Sequence, residues 1–199
     1  MDNRNLKFAL IASVVLTLMS WLVFSSFRSD YIEFQVRDEI ISAKWSEVVS
    51  QYQRRVDLTP NLVRVVEKYA AHEEEIASRI TGVQTALNGI PVETKDAASA
   101  QQFQDAQEKL HLALTNLVAV GSAFSQLKGD MVFIGLQTQL EGTENRITVA
   151  RNRHIKAIEA NNAFVRSHPF SAYLFGISVK PQFTVGNVGE ISTAPSVSF

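Results

Sequence analysis

Apolar residues recur at alternating steps of three and four along four stretches of the chain, residues 41–52, 62–87, 103–127 and 133–164. This spacing places them on one face of an α-helix. None of the four stretches shows the strict alternation of a β-strand, and short connections separate them. Because such helices bury their apolar faces against one another, the pattern predicts an all-α fold, an up-down-up-down antiparallel bundle of long helices.

Prolines and polar residues mark the ends of these predicted helices. Thr59 and Pro60 are predicted to be the N-cap and the first position of the second helix, because proline lacks only a backbone donor that is unpaired there anyway. Glu73 is the one carboxylate on the apolar face of that helix, and we expect it where the bundle frays or opposite an Arg, His or Asn of the fourth helix. The third helix is predicted to stop at Gly129, and Pro169 is predicted to end the fourth.

An uncharged apolar run, residues 8–27, precedes the first of these helices. Its length matches the roughly 20 helical residues that cross the hydrocarbon core of a bilayer, which predicts a transmembrane helix continuing into the bundle. The alternative is a cleavable signal peptide with a cleavage site at Val23 and Ser25, whose apolar region is usually only about 7–15 residues long. Arg4 and Lys7 favour an N-terminus inside the cytoplasm, so we expect a single-pass membrane protein with a periplasmic bundle, the cytoplasmic orientation being the alternative.

The chain is therefore divided into an N-terminal tail and anchor (1–28), a helical bundle (29–176) and an irregular or disordered C-terminal tail (177–199).

The formal net charge of −1 provides no basic stripe for a phosphate backbone, so nucleic acid is not an expected partner. The chain has no cysteine, which excludes disulfides, thiolate metal sites and cysteine nucleophiles.

Three segments resemble the LemA family. Residues 45–73 contain QRR-x-DL-x-PNLV, which resembles the family hallmark, and LQTQLEGTENRITVAR at 136–151 resembles its second signature. Phe175-Gly176 with Lys180-Pro181 resembles its C-terminal end. The resemblance implies a membrane-anchored helical bundle of bacterial type with a poorly defined biochemical activity, and some relatives belong to magnetosome membranes. It brings no catalytic residues.

The chain also departs from the family pattern in the last long helix. Where the family often has Tyr-Asn pairs, this chain has His154-Ile155 and Asn161-Asn162. A role that belongs to those tyrosines therefore does not carry over to these positions.

Charged and polar residues cluster in the two signature segments. We expect them to cap helix ends, pair across neighbouring helices and specify register, because polar groups that become buried must find partners. The alternative is a dedicated binding surface. The candidate site residues are Arg54, Arg55, Asp57, Thr59, Pro60, Asn61, Glu141, Glu144, Asn145, Arg146 and Arg151.

The sequence provides little support for a metal or an enzyme site. His72-Glu73-Glu74-Glu75 begins like a zinc-protease motif, but Ile76 stands where the second histidine is required. No Gly-x-Ser-x-Gly elbow, phosphate-binding loop or dinucleotide fingerprint is present. We therefore expect no cofactor and no catalytic residue. A metal-binding or enzymatic bundle that uses His154, Glu73 and Glu144 is the alternative.

Four residues after Pro169 form an apolar cluster, namely Phe170, Tyr173, Leu174 and Phe175. If the first helix leaves the membrane and the directions then alternate, the fourth helix returns toward the bilayer and brings this cluster to the membrane interface. Closure of the bundle core at its base is the equally open alternative.

These observations predict a non-enzymatic, membrane-tethered helical module. Its expected partners are the lipid bilayer and other membrane or envelope proteins, and it has the potential to form a homo-oligomer.

Overall fold

The computed structural model describes residues 3–70, 73–91 and 97–181. Within these ranges the chain is helical and contains no strand. The helices are α1 (Asn3–Ala70), α2 (Glu74–Asn88), α3 (Ala97–Ala123), α4 (Ser125–Lys128), α5 (Met131–Ser167) and α6 (Pro169–Leu174). The predicted all-α class is confirmed, and α5 ends where Pro169 was predicted to end it.

One described helix, α1, is long and apolar enough to cross a membrane. Its most apolar window has a mean hydropathy of 2.0 and none of it is buried within the protein. The hydroxyls of Ser13, Thr17 and Ser25 each donate to a backbone carbonyl three residues earlier. These polar side chains are therefore paired inside the helix, as a hydrocarbon environment requires.

The predicted start of a second helix at Pro60 is wrong. Helix α1 continues through Pro60 to Ala70. Thr59 is fully buried, and its hydroxyl donates to the Arg55 carbonyl at 2.8 Å, so it stabilises the interior of α1 instead of capping a new helix.

Packing explains why the helix passes the proline. Leu62, Val63 and Val66 lie beyond Pro60 and are buried in the core. They lie on the same helix face as the buried Val48 and Tyr52, so they reach the core only if α1 continues past Pro60. The free energy gained by burying them outweighs the loss of the single backbone hydrogen bond that proline removes.

Helix α2 begins later than predicted, and Glu73 does not lie on its apolar face. Glu73 precedes the helix with an extended backbone and is exposed. The apolar face itself is present, because Ile76, Ile80 and Val83 are buried. His72 lies outside the described residues.

The predicted third helix is interrupted near its end. Helix α3 stops at Ala123, Phe124 adopts an extended backbone, and the short α4 follows. Leu127 of α4 is nevertheless fully buried, as the apolar pattern predicted.

The chain divides into two compact units. Among the described residues, the larger unit comprises those between 45 and 155 together with Pro181, and the smaller unit comprises residues 3–44 and 156–180. In the larger unit, α1 to α5 surround an apolar core. Tyr69 pairs with Asp130 and Arg55 with Glu144, so α1 and α5 run antiparallel there.

The core of the larger unit forms two clusters. The first joins α1, α2, α3, α4 and α5, and its fully buried members are Leu62, Val66, Ile76, Val83, Leu110, Leu117, Leu127 and Phe133. The second joins α1, α3 and α5 through Val48, Tyr52, Phe103, Ile147 and Ala150.

The smaller unit has its own core, formed by Phe34, Val165 and Ala172. The Arg37 guanidinium donates to the Ala160 carbonyl at 3.3 Å, and the Phe34 and Phe164 rings lie 5.0 Å apart. Here too the last long helix runs antiparallel to α1, as predicted.

Candidate functional site

Arg55 is a buried cation at the centre of the larger unit, with 4% of its surface exposed. One guanidinium nitrogen donates to the Gln107 carbonyl at 3.1 Å, and the other donates to the Glu144 carboxylate. The guanidinium carbon lies 5.5 Å from the centre of the Tyr52 ring. Arg55 of α1 thus joins α3 and α5 through one side chain.

Sequence periodicity places Arg55 in the core. It follows Tyr52 by three residues and precedes Thr59 by four, so the three share the buried face of α1. A buried guanidinium requires a counter-charge and hydrogen-bond acceptors, which Glu144 and the Gln107 carbonyl supply.

Glu144 connects this buried cation to the surface. Its Oε2 also lies 3.4 Å from Nδ1 of His111, and the side chains of His111 and Glu144 are 37% and 40% exposed. The carboxylate therefore lies between the Arg55 guanidinium and the His111 ring.

A cleft of about 400 Å³ opens beside this charge cluster, between α3 and α5. Leu114, Val118 and Leu140 provide its apolar wall, while Gln137 and Glu141 are among its polar residues. Its volume is in the range of small-ligand sites, which are commonly about 300–1,000 Å³. The cleft can therefore accept an apolar group that carries a polar or charged end.

The lining of the cleft also includes a serine hydroxyl. Ser122 also lines the cleft, but its hydroxyl donates to the Val118 carbonyl at 2.7 Å instead of to a base. Nucleophilic catalysis requires the nucleophile and base within hydrogen-bond reach, and Ser122 and His111 are not paired in this way.

The other candidate residues of the signatures lie mostly outside the core. Arg54, Asp57, Pro60, Asn61, Glu141, Asn145 and Arg146 are exposed, while Arg151 is half-buried. Gln53 donates to Asp57 at 2.8 Å along α1, and Gln137 donates to Glu141 at 3.3 Å along α5. The structure therefore brings together Arg55, Glu144 and Glu141 around the cleft, buries Thr59 inside α1 and leaves most of the others on the surface.

The alternative metal set is not assembled. Glu144 and His154 are ten residues apart on α5, about 15 Å along the helix, and Glu73 is exposed before α2. Across residues 3–70, 73–91 and 97–181, no group of three or more His, Asp or Glu side chains could hold a metal ion.

His154 is buried in the larger unit, where its ring lies 5.3 Å from that of Trp45. Burial disfavours the charged imidazolium and lowers the pKa of His154 from its ordinary value. The folded state therefore prefers the neutral ring more than the unfolded chain does.

This shift makes stability depend on pH. Above about 6.5, the ordinary histidine pKa, both states are neutral and the stability is fully present. As the pH falls from there toward the lowered pKa of folded His154, the unfolded chain takes up the proton first and stability is lost.

We expect urea unfolding to show this loss of stability at low pH. His154→Phe, which keeps a ring beside Trp45, should flatten the dependence of stability on pH in that range. An unchanged slope in the variant would contradict the assignment.

Two polar contacts were missed in the sequence. Asp130 caps α5, because its Oδ1 accepts from the backbone N–H groups of Val132 and Phe133, and its Oδ2 accepts from the Tyr69 hydroxyl at 2.7 Å. The Tyr69 hydrogen bond is the main cause that lowers the pKa of Asp130. An aspartate just before an apolar helix is a recognisable cap signal, whereas its tyrosine partner is not.

Asn162 makes the second contact. Its amide donates to the Lys180 carbonyl at 2.7 Å and its oxygen accepts from the Lys180 backbone N–H at 2.8 Å. One buried side chain thus binds the backbone of the C-terminal segment in both directions. No local pattern indicates a partner 18 residues away.

The described residues thus define a class of protein, a helical bundle whose first helix includes a candidate membrane span. Residues 44–199 match the family model of the LemA family. The match covers more than half of the chain, so the protein belongs to the LemA family, and the resemblance found in the sequence is confirmed. A comparison with curated proteins finds no match.

Proposed function

We propose that this protein is a membrane-anchored, non-enzymatic interaction or scaffold protein of the bacterial envelope. The observation that carries the proposal is that one helix, α1, contains both the candidate span and residues of the bundle core. Because no linker separates the candidate span from the core residues within α1, the helix suits a module that presents a folded surface beside a membrane.

The orientation belongs to the same proposal. Arg4 and Lys7 precede the apolar run and support a cytoplasmic N-terminus, since an excess of Lys and Arg marks the cytoplasmic side. The bundle would then lie in the periplasm, as part of a single-pass inner-membrane protein.

The cleft beside Arg55 supports an interaction role. It combines an apolar wall with the exposed carboxylate of Glu141, whereas the neighbouring Glu144 is already paired with Arg55. This combination fits an apolar side chain next to a lysine or arginine on a partner protein, because charge complementarity fixes the register of a contact. The partner we propose is therefore another membrane or envelope protein; self-association of the chain is compatible with the same contact.

Site-specific photo-crosslinking in intact membranes tests this proposal. A benzophenone amino acid at Ala119, an exposed residue of the cleft, is expected to capture an envelope protein reproducibly. The same probe at Ser78, exposed on α2 and away from the cleft, is the matched control. Capture of nothing at Ala119, or of the same proteins from both positions, would contradict the cleft as the contact surface.

A further inference from the structure

The end of the smaller unit contains a strap, defined here as residues 169–180, that is fixed against α1. The Ser171 hydroxyl donates to the Asp30 carboxylate at 2.5 Å, and Asn162 binds the Lys180 backbone. The Lys180 ammonium also pairs with Asp38. Because contacts hold the strap at both of its ends, its side chains have defined orientations.

Within the strap, three large apolar side chains point outward. Phe170, Tyr173 and Leu174 are 68%, 87% and 56% exposed, whereas Ser171 and Ala172 are buried. An ordinary surface helix has the opposite arrangement, with apolar residues inward and hydroxyls outward. A cluster of exposed apolar side chains on a fixed segment commonly marks a contact surface.

The contacts with α1 determine where this surface lies. The Phe170 ring is 5.6 Å from that of Phe27, and the Phe175 ring is 5.0 Å from that of Tyr31. Phe27 is the last residue of the uncharged run, and Tyr31 lies about 6 Å further along the helix. The strap is therefore level with the end of the candidate span.

Aromatic residues are enriched at this depth in membrane proteins, where apolar rings contact lipid and polar groups face water. Tyr173 matches that pattern in type and position, and the Phe27 and Phe170 rings provide apolar surface for lipid beside it. A bilayer that surrounds α1 up to Phe27 also reaches Phe170, because the two rings lie side by side. The lipid surface is thus continuous with the outward face of the strap, which selects lipid over a second protein as the occupant.

We propose that Phe170, Tyr173 and Leu174 insert into the lipid interface and form a second, non-spanning membrane contact. The proposal rests on the membrane anchoring proposed above. Phe175 has a different role, because it is partly buried against the core of the smaller unit and Tyr31. The two alternatives left open by the sequence thus apply to different residues: Phe175 closes the core, and the other three contact lipid.

The absence of native cysteine allows a direct test on the full chain in liposomes. Tyr173→Cys carries an environment-sensitive fluorophore, and the lipids carry nitroxide quenchers at the headgroup or along the acyl chain. We expect a blue-shifted emission at position 173 and a loss of emission with headgroup nitroxides. Because Tyr173 is almost fully exposed, the label does not disturb the core.

Two further positions make the outcome specific. Leu22→Cys, in the candidate span, should be quenched by acyl-chain nitroxides; if it is not, membrane anchoring itself fails. Glu159→Cys, exposed in the same unit, should remain unquenched. The backbone carbonyl of its neighbour Ala160 accepts a hydrogen bond from Arg37. Arg37 lies about 15 Å beyond Phe27 along α1.

A double substitution tests whether the exposed side chains make the contact. Phe170→Ser with Leu174→Ser, in the labelled chain, should remove the quenching at position 173 while the circular dichroism spectrum stays unchanged. Quenching at Leu22 without quenching at position 173 would overturn the inference and leave the anchor intact. A blue shift at position 173 without lipid quenching would indicate a protein contact and would also overturn it, as would unaltered quenching in the double variant.

Discussion

Glu144→Ala is expected to destabilise the protein by about 3 kcal/mol, more than Arg55→Met does, although both substitutions remove the same ion pair. The asymmetry arises from burial. The side chain of Arg55 is 5% exposed and that of Glu144 is 40% exposed. Removing the carboxylate leaves a buried guanidinium without a counter-charge, held by the Gln107 carbonyl and the Tyr52 ring, whereas removing the guanidinium leaves a carboxylate that water can reach.

Arg55→Met is expected to cost about 1.5–2 kcal/mol, the lower part of the range for a lost hydrogen bond to a charged group, because methionine keeps the apolar stem in the core. The measurement is urea unfolding of the detergent-solubilised full chain, followed by circular dichroism. Glu141→Ala is the matched control, since this exposed carboxylate lies one turn away on α5 and its loss should change the free energy of unfolding by less than about 0.5 kcal/mol. A larger loss for Arg55→Met than for Glu144→Ala would show that the guanidinium is not the buried partner.

Much of the fold could be predicted from the sequence because the signal is local. The buried residues of α5 include Phe133, Ile147 and Ala150, all members of one periodic apolar face. A proline just after Ser167 then identifies the end of the helix. Periodicity and helix termination depend on neighbours within a few residues, and the sequence states these directly.

The boundary at Pro60 could not be predicted in the same way. Its local environment matches a helix start, with a threonine before the proline, and the competing signal lies in distant contacts. Leu62 and Val66 pack against residues of α2, α3 and α5. That packing continues the helix, and its strength cannot be read from the residues around the proline.

The sequence also identified the site residues without identifying their partners. Arg55 and Glu144 are 89 residues apart, so no spacing rule joins them. A signal for the burial of Arg55 does exist, because Tyr52, Arg55, Thr59 and Leu62 follow the steps of three and four that mark one helix face. Arg55 and Thr59, which are successive members of this face, are both polar and make it resemble a helix end. In the structure both are buried and hydrogen-bonded.

Pro60→Ala is expected to stabilise the protein by about 2 kcal/mol. Proline inside a helix is about 3 kcal/mol less favourable than alanine, because it removes a backbone donor and its ring crowds the preceding turn. Part of this gain is offset by about 0.4–1 kcal/mol, since proline also restricts the unfolded chain. Pro60 is exposed, so alanine sacrifices no buried contact, and its N–H can donate to the Val56 carbonyl.

The midpoint of urea unfolding should therefore rise in Pro60→Ala with an unchanged slope. Asn61→Ala is the control, because Asn61 is the exposed neighbour with an intact backbone donor; its smaller gain should reflect helix propensity alone, about 0.5 kcal/mol. Destabilisation by Pro60→Ala would mean that the proline bends α1 by an amount that the packing of Leu62 and Val66 requires. In that case the proline of the hallmark segment would determine the shape of the core, whereas stabilisation would show that the core holds α1 helical in spite of it.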